Sequence, residues 1–133
     1  MLTVSKPVEE FLDFLREARS AYNIAQSEEN DANNATQDIL HSLELEEHRY
    51  HDYARLSSAL RNVRRQRREA KDSVQRLQPL MDWIGKNNKT IKEMERLLGD
   101  IRKAEISTEN RHYNNKTDIV QQTIGGKNET PKT

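Results

Sequence analysis

Ten positions constrain this chain more than any others. Tyr53, Leu56, Leu60, Val63, Arg67, Ala70, Val74, Leu77, Met81 and Ile84 follow one another at alternating spacings of three and four. A repeat of that kind, held over about four heptads, puts its members in one stripe along a helix and demands a second helix to cover it. The segment therefore predicts a long helix with a coiled-coil-like seam, starting near residue 48. Pro79 lacks a backbone N–H and is expected to bend or end that helix near 78.

Upstream, Ser5 and Pro7 form a fair helix start, a hydroxyl cap with proline in the first turn. Val8, Phe11, Leu12, Leu15, Ala18, Tyr22 and Ala25 then recur at helical spacing. The stretch SEENDANN (27–34) has poor helix propensity. Yet Ala32, Ala35, Ile39, Leu40 and Leu43 resume in phase with Ala25. One helix over 6–44 is the preferred reading, and two helices are the alternative. Downstream, Gly85 with Lys86-Asn87-Asn88 reads as a turn. Thr90-Ile-Lys-Glu93 reads as a capping box opening a third helix that reaches about residue 106. Residues 107–133 lack periodicity and read as a mobile polar tail.

The expected fold is thus all-α: a long antiparallel helical hairpin with a coiled-coil-like seam, plus a shorter third helix, in one domain over 1–106. Hydrophobic residues make up 33% of the chain, as do charged ones, so a lone hairpin buries little surface. A homodimer or higher oligomer, formed through the 53–84 seam, is the expected remedy. There is no cysteine, hence no disulfide framework or thiolate metal site. No leader-like segment or long apolar run is seen, so a cytoplasmic protein without a membrane partner is expected.

Zero net charge hides an asymmetry. Residues 1–48 hold 3 Lys/Arg against 11 Asp/Glu, and residues 49–106 hold 15 against 8. The basic excess peaks in RNVRRQRREAKD (61–72). Arg61, Arg64, Arg65 and Arg68 share one flank of the second helix, beside the seam, and Lys71 follows them. Such flanks pair with carboxylates of a neighbouring helix, here Glu28, Glu29, Asp31 and Asp38. The competing readings are a stripe that follows nucleic-acid phosphates, a site for a small anion, and a surface for an acidic partner. Arg67 occupies the seam itself, where a charge needs a carboxylate, a ligand or a solvated gap.

Two further constellations bear on chemistry. His41, Glu44, His48 and His51 would share a face of an unbroken helix, with donors that suit Zn or Fe. The inter-helix turn falls inside that set, and neither a metal nor any other cofactor is expected. Glu44-Leu-Glu-Glu47, followed after 21 residues by Glu69-Ala-Lys-Asp72, is similar to the ExxE…ExxD signature of MazG-like nucleoside triphosphate pyrophosphatases. That resemblance implies four carboxylates holding Mg²⁺ on a nucleotide. An unbroken second helix would keep the two pairs far apart. No Gly-rich phosphate loop accompanies them.

A broader resemblance covers residues 43–80, through Arg64-Arg65-Gln-Arg67-Arg68-Glu-Ala-Lys71-Asp72 and Leu77-Gln-Pro79-Leu80. These resemble small helical proteins carried by phages and prophages of Gram-positive bacteria. The resemblance implies a mobile-element accessory protein that binds something of the host. The functional expectation is a non-enzymatic helical interaction protein whose partners are itself and a host protein or small anionic ligand. Nucleic-acid binding through the Arg61–Lys71 stripe is one alternative, and a MazG-like pyrophosphatase is another.

Overall fold

A computed structural model of the chain describes residues 2–111 and 116–129. The described residues are helical and contain no strand. The helices are α1 (Ser5–Leu45), α2 (Tyr50–Lys86), α3 (Asn88–Glu109) and α4 (Ile119–Glu129). The chain divides into two compact units, Met1–Gly99 and Asp100–Thr133. The division falls inside α3.

Within the first unit α1 and α2 pack along one another. Their direction follows from two local pairings. Tyr22 of α1 reaches Gln78 of α2, while Ala32 and Ala35 share a groove with Val63 and Ala70. Advancing along α1 therefore means retreating along α2, so the helices run antiparallel. The α1 face is built from Leu12, Leu15, Ala18, Ala25 and Ala32, all buried. Alanines at this spacing let the two backbones come close while removing little apolar area per residue. That packing also keeps SEENDANN helical: α1 continues through it unbroken over 41 residues, because tertiary burial outweighs propensity. Thr36 Oγ1 donates back to the Ala32 carbonyl at 2.8 Å, so its hydroxyl is satisfied within the helix.

The face of α2 turned to α1 carries the three-four repeat. Ala70 and Ile84 are buried, and Leu56, Leu60, Val63, Val74, Leu77 and Met81 are half-buried. The cover is supplied by α1 of the same chain. Two members depart from the pattern. Tyr53 is exposed and serves the inter-helix link instead, and Arg67 is exposed.

Several boundaries differ from those the sequence suggests. α1 starts at Ser5 itself, so Ser5 lies in the first turn rather than before it. α2 passes through Pro79 and ends at Lys86, eight residues beyond the expected stop. A chain of hydrogen bonds offsets the lost backbone bond there. Gln26 Nε2 donates to Tyr22 Oη (3.0 Å), Tyr22 Oη to Gln78 Oε1 (2.7 Å), and Gln78 Nε2 to Asp82 Oδ1 (2.9 Å). These bonds fasten the turns on either side of the proline to each other and to α1. Gly85 is consequently helical, and the break comes at Asn87, whose side chain donates to the Trp83 carbonyl at 2.8 Å. α3 opens at Asn88, which places Thr90 and Glu93 inside the helix rather than in a capping box. In the expected tail, α4 occupies Ile119–Glu129. Residues 112–115 and 130–133 of that tail lie outside the described residues.

Two measurements check this packing. Gly85 sits in helix with no positive φ, and a Cβ built there meets nothing within 4 Å. Gly85→Ala is therefore expected to raise stability by about 0.5–1 kcal/mol, seen as a higher melting temperature. Tyr22→Phe keeps the ring but removes the middle of the hydrogen-bond chain, and should lower stability by about 0.5–1.5 kcal/mol.

Candidate anion-binding face

The residues from Arg61 to Lys71 lie mid-way along α2, where the helix is fixed on one side only. Its packed side carries Val63 and Ala70 towards α1. At 100° per residue, the centre of Arg61, Arg64, Arg65 and Arg68 lies roughly 160° around the helix from that side. All four are exposed, as are Arg67 and Lys71. Among the described residues none of these six side chains has an ion pair or hydrogen-bond partner.

The pairing expected with the acidic first helix is therefore absent, and geometry gives the reason. Glu28 and Asp31 line the groove between the helices on the side of Gln66, Glu69 and Ser73. The arginines face the other way. Asp38 is exposed and Glu29 half-buried on α1, and neither forms an ion pair with the stripe. The flank assignment is corrected to an outer face, which the 100° period of the helix requires.

On that outer face Ser57, Leu60, Arg61, Arg64, Arg65 and Arg68 line a shallow groove of about 370 Å³. Leu60 is half-buried, and the four guanidinium groups stand over it with no carboxylate among the lining residues. Guanidinium groups offer paired donors matched to carboxylate or phosphate oxygens. Like charges at i, i+3 and i+4 repel one another in the free protein. An incoming anion relieves that repulsion, so the groove is electrostatically poised for one.

Arg67 differs from its neighbours. It takes its place in the three-four repeat but keeps its charge in water. Small Ala32 and Ala35 face this part of α2, and the groove they leave with Val63 and Ala70 measures about 640 Å³. Arg67 is not among the residues lining that groove; its side chain is exposed and its head solvated. Arg67 consequently needs no buried carboxylate.

The other constellations are dispersed. α1 ends at Leu45 and α2 begins at Tyr50, so His41 and Glu44 sit on one helix, His48 on the link and His51 on the next helix. Among the described residues no group of three or more His, Asp or Glu is placed to hold a metal ion. His48 has a structural engagement instead. Its Nε2 lies 3.0 Å from Ser42 Oγ, 3.1 Å from the Ser42 carbonyl oxygen and 3.6 Å from Glu46 Oε2. A carbonyl only accepts, so Nε2 carries the proton. The Tyr53 ring packs edge-on against the imidazole at 5.2 Å, and its hydroxyl accepts from the His48 backbone N–H at 3.1 Å. These contacts tie down the link between the two long helices. Glu44 and Glu47 lie at that link, while Glu69 is 19 residues into α2, roughly 29 Å along its axis at 1.5 Å per residue. The structure does not bring the two carboxylate pairs together.

A second concavity was not visible in the sequence. A cleft of about 530 Å³ lies between α1 and the first turns of α3, with Ile84 of α2 also in its lining. Its lining mixes apolar residues and cations with Ser20, Asn23, Asn88 and Glu95, on helical faces that, in one dimension, read only as core and surface. Compared with known proteins, the chain matches no family model, no curated protein and no solved structure.

An unpaired, outward stripe has a distinct stability signature. Replacing Arg61, Arg65 and Arg68 with Glu is expected to leave melting temperature and helicity nearly unchanged at low ionic strength. Stability of the unaltered protein should rise as salt screens the clustered arginines. A steep loss of stability in the triple variant, greatest at low salt, would show that the stripe is paired after all.

Proposed function

We propose that the protein is a non-enzymatic helical interaction protein that captures an anionic partner on the outer face of α2. One observation carries this reading. Six cations between Arg61 and Lys71 stand exposed and unpartnered, four of them around a groove without a carboxylate. A solvated charge run is common on long helices, but here the charges face away from the acidic helix that could have neutralised them. The partner that fits best is an acidic surface patch of another protein. The resemblance to phage and prophage accessory proteins makes a host protein the natural candidate.

In this reading α1 and α2 form a coiled-coil-like hairpin that serves as a rigid mount. Self-association is part of the proposal, although the 53–84 seam is already occupied by α1. Phe11, Phe14 and Trp83, which are 40%, 51% and 39% exposed, provide apolar surface for a second copy instead. No helix among the described residues is long and apolar enough to cross a membrane.

Nucleic acid is the second reading, and a specific spacing favours it. Arg61, Arg64 or Arg65, and Arg68 span about 10 Å along α2, a distance over which they could meet successive phosphates. A salt series separates the two. Binding of duplex DNA or RNA through this stripe requires a log–log salt slope of several units that falls when Arg64 and Arg68 become Gln. For a protein partner, quantitative cross-linking in host lysate should recover one acidic protein with the native chain and lose it with the Arg61, Arg65 and Arg68 reversal. Equal recovery by both chains would remove the stripe from the interface. For the nucleotide-hydrolase alternative, the test is Mg²⁺-dependent release of pyrophosphate from nucleoside triphosphates, which is expected to stay at background.

A further inference from the structure

The cleft between α1 and α3 lies apart from the arginine stripe and has a different chemistry. Leu12, Leu15 and Ile84 form its floor, Ile91 lines the α3 wall, and Arg19 and Lys92 stand at the rim. Its volume of about 530 Å³ falls within the range of small-molecule sites, about 300–1,000 Å³. Arg16 spans it, with one guanidinium nitrogen 3.0 Å from Asp13 and the other 4.0 Å from Glu95 on the opposite wall. Arg16 is thus shared between two carboxylates, bonded to Asp13 and only in long contact with Glu95. Arg19 and Lys92 have no ion pair or hydrogen-bond partner among the described residues. The cleft therefore combines an apolar floor with two uncompensated positive charges.

The lining selects the occupant. Leu12 and Leu15 are only 2% and 4% exposed, so the apolar surface open to an occupant is mainly that of exposed Ile24 and half-buried Ile91. A bare phosphate would leave the apolar floor empty, and an uncharged hydrocarbon would leave the cations unused. We propose that this cleft binds an aliphatic carboxylate, its chain laid along Ile24 and Ile91 and its head group against Arg19 and Lys92.

Isothermal titration of the full chain with dodecanoate, below its micelle concentration, tests the assignment. The expected result is one saturable site per chain. Affinity should rise about two- to fourfold with each added methylene from hexanoate upward, as apolar burial requires. Arg19→Glu with Lys92→Glu alters two exposed side chains and should weaken binding by about tenfold or more while circular dichroism stays unchanged. Should that pair disturb the fold, Arg19→Gln alone is expected to weaken binding by a smaller factor. Reversal of Arg61, Arg65 and Arg68 should not affect it, which keeps this site distinct from the outer face of α2. Equal affinity for dodecyltrimethylammonium would overturn the assignment, as would multi-site uptake. A change in oligomer size on binding would also overturn it, by showing the cleft to be a contact between copies.

Discussion

The apolar face that α2 presents from Leu56 to Ile84 is too narrow to sustain a helix by itself. It is one or two side chains wide, and only Ala70 and Ile84 along it are buried. An isolated helix gains little from intrinsic propensity, and a chain with 33% charged residues cannot collapse into a round core. The available solution is length. α1 matches α2 nearly turn for turn, so a thin seam is repeated many times. Alanine at positions 18, 25, 32 and 70 brings the helices close, and close approach lets dispersion contribute where apolar area is small. The hydrogen-bonded chain from Gln26 through Tyr22 and Gln78 to Asp82 fixes register near one end of this pair. His48, held by Ser42 and Tyr53, fixes it at the other.

That arrangement explains where the charges go. A helix committed on one side to a thin seam leaves most of its circumference to solvent. Positions beside the seam stay near the partner helix, whereas those on the far side of the helix face water. Here Gln66, Glu69 and Ser73 took the side of Glu28 and Asp31, and Arg61, Arg64, Arg65 and Arg68 took the other. The acidic and basic thirds of the chain are adjacent without being paired at the stripe. Neutralisation across the molecule is then a long-range, screened effect, and the local potential over the arginine groove remains positive.

What could be read from the sequence was what depends on period. The three-four repeat marked Leu56, Leu60, Val63, Ala70, Val74, Leu77, Met81 and Ile84 for burial, and the resumption of phase at Ala32 kept α1 continuous. Features that depend on contacts across the chain were not legible. Pro79 is a helix breaker by local rules, and only the bonds made by Gln78 to Tyr22 and Asp82 show how the helix passes it. Arg67 reads as a buried charge because the repeat gives its place along the seam but not how far α1 covers that place, and its side chain is exposed. The outward direction of the stripe, by contrast, follows from the period alone: at 100° per residue its centre lies too far round from Val63 and Ala70 to be a pairing edge. The cleft between α1 and α3 had no one-dimensional signal at all. Leu12, Leu15 and Ile91 are ordinary core positions until two helices diverge over them.

The two concavities differ in how tightly they are coupled to stability, and that difference follows from the same thin seam. Around the outer groove of α2 the charged side chains contribute nothing visible to the α1–α2 contact, so substitutions there can change binding with the fold intact. The floor of the α1–α3 cleft is made of Leu12, Leu15 and Ile84, which are among the few buried side chains the molecule has. With so few, each carries a large share of a marginal stability, and truncation of one costs about 2–5 kcal/mol. A ligand that filled the cleft would bind the folded state alone and add to its stability in proportion to its occupancy. The outer face can therefore vary freely under selection for a partner, whereas the cleft is constrained at its floor by folding and free to vary only at its rim, at Arg19 and Lys92.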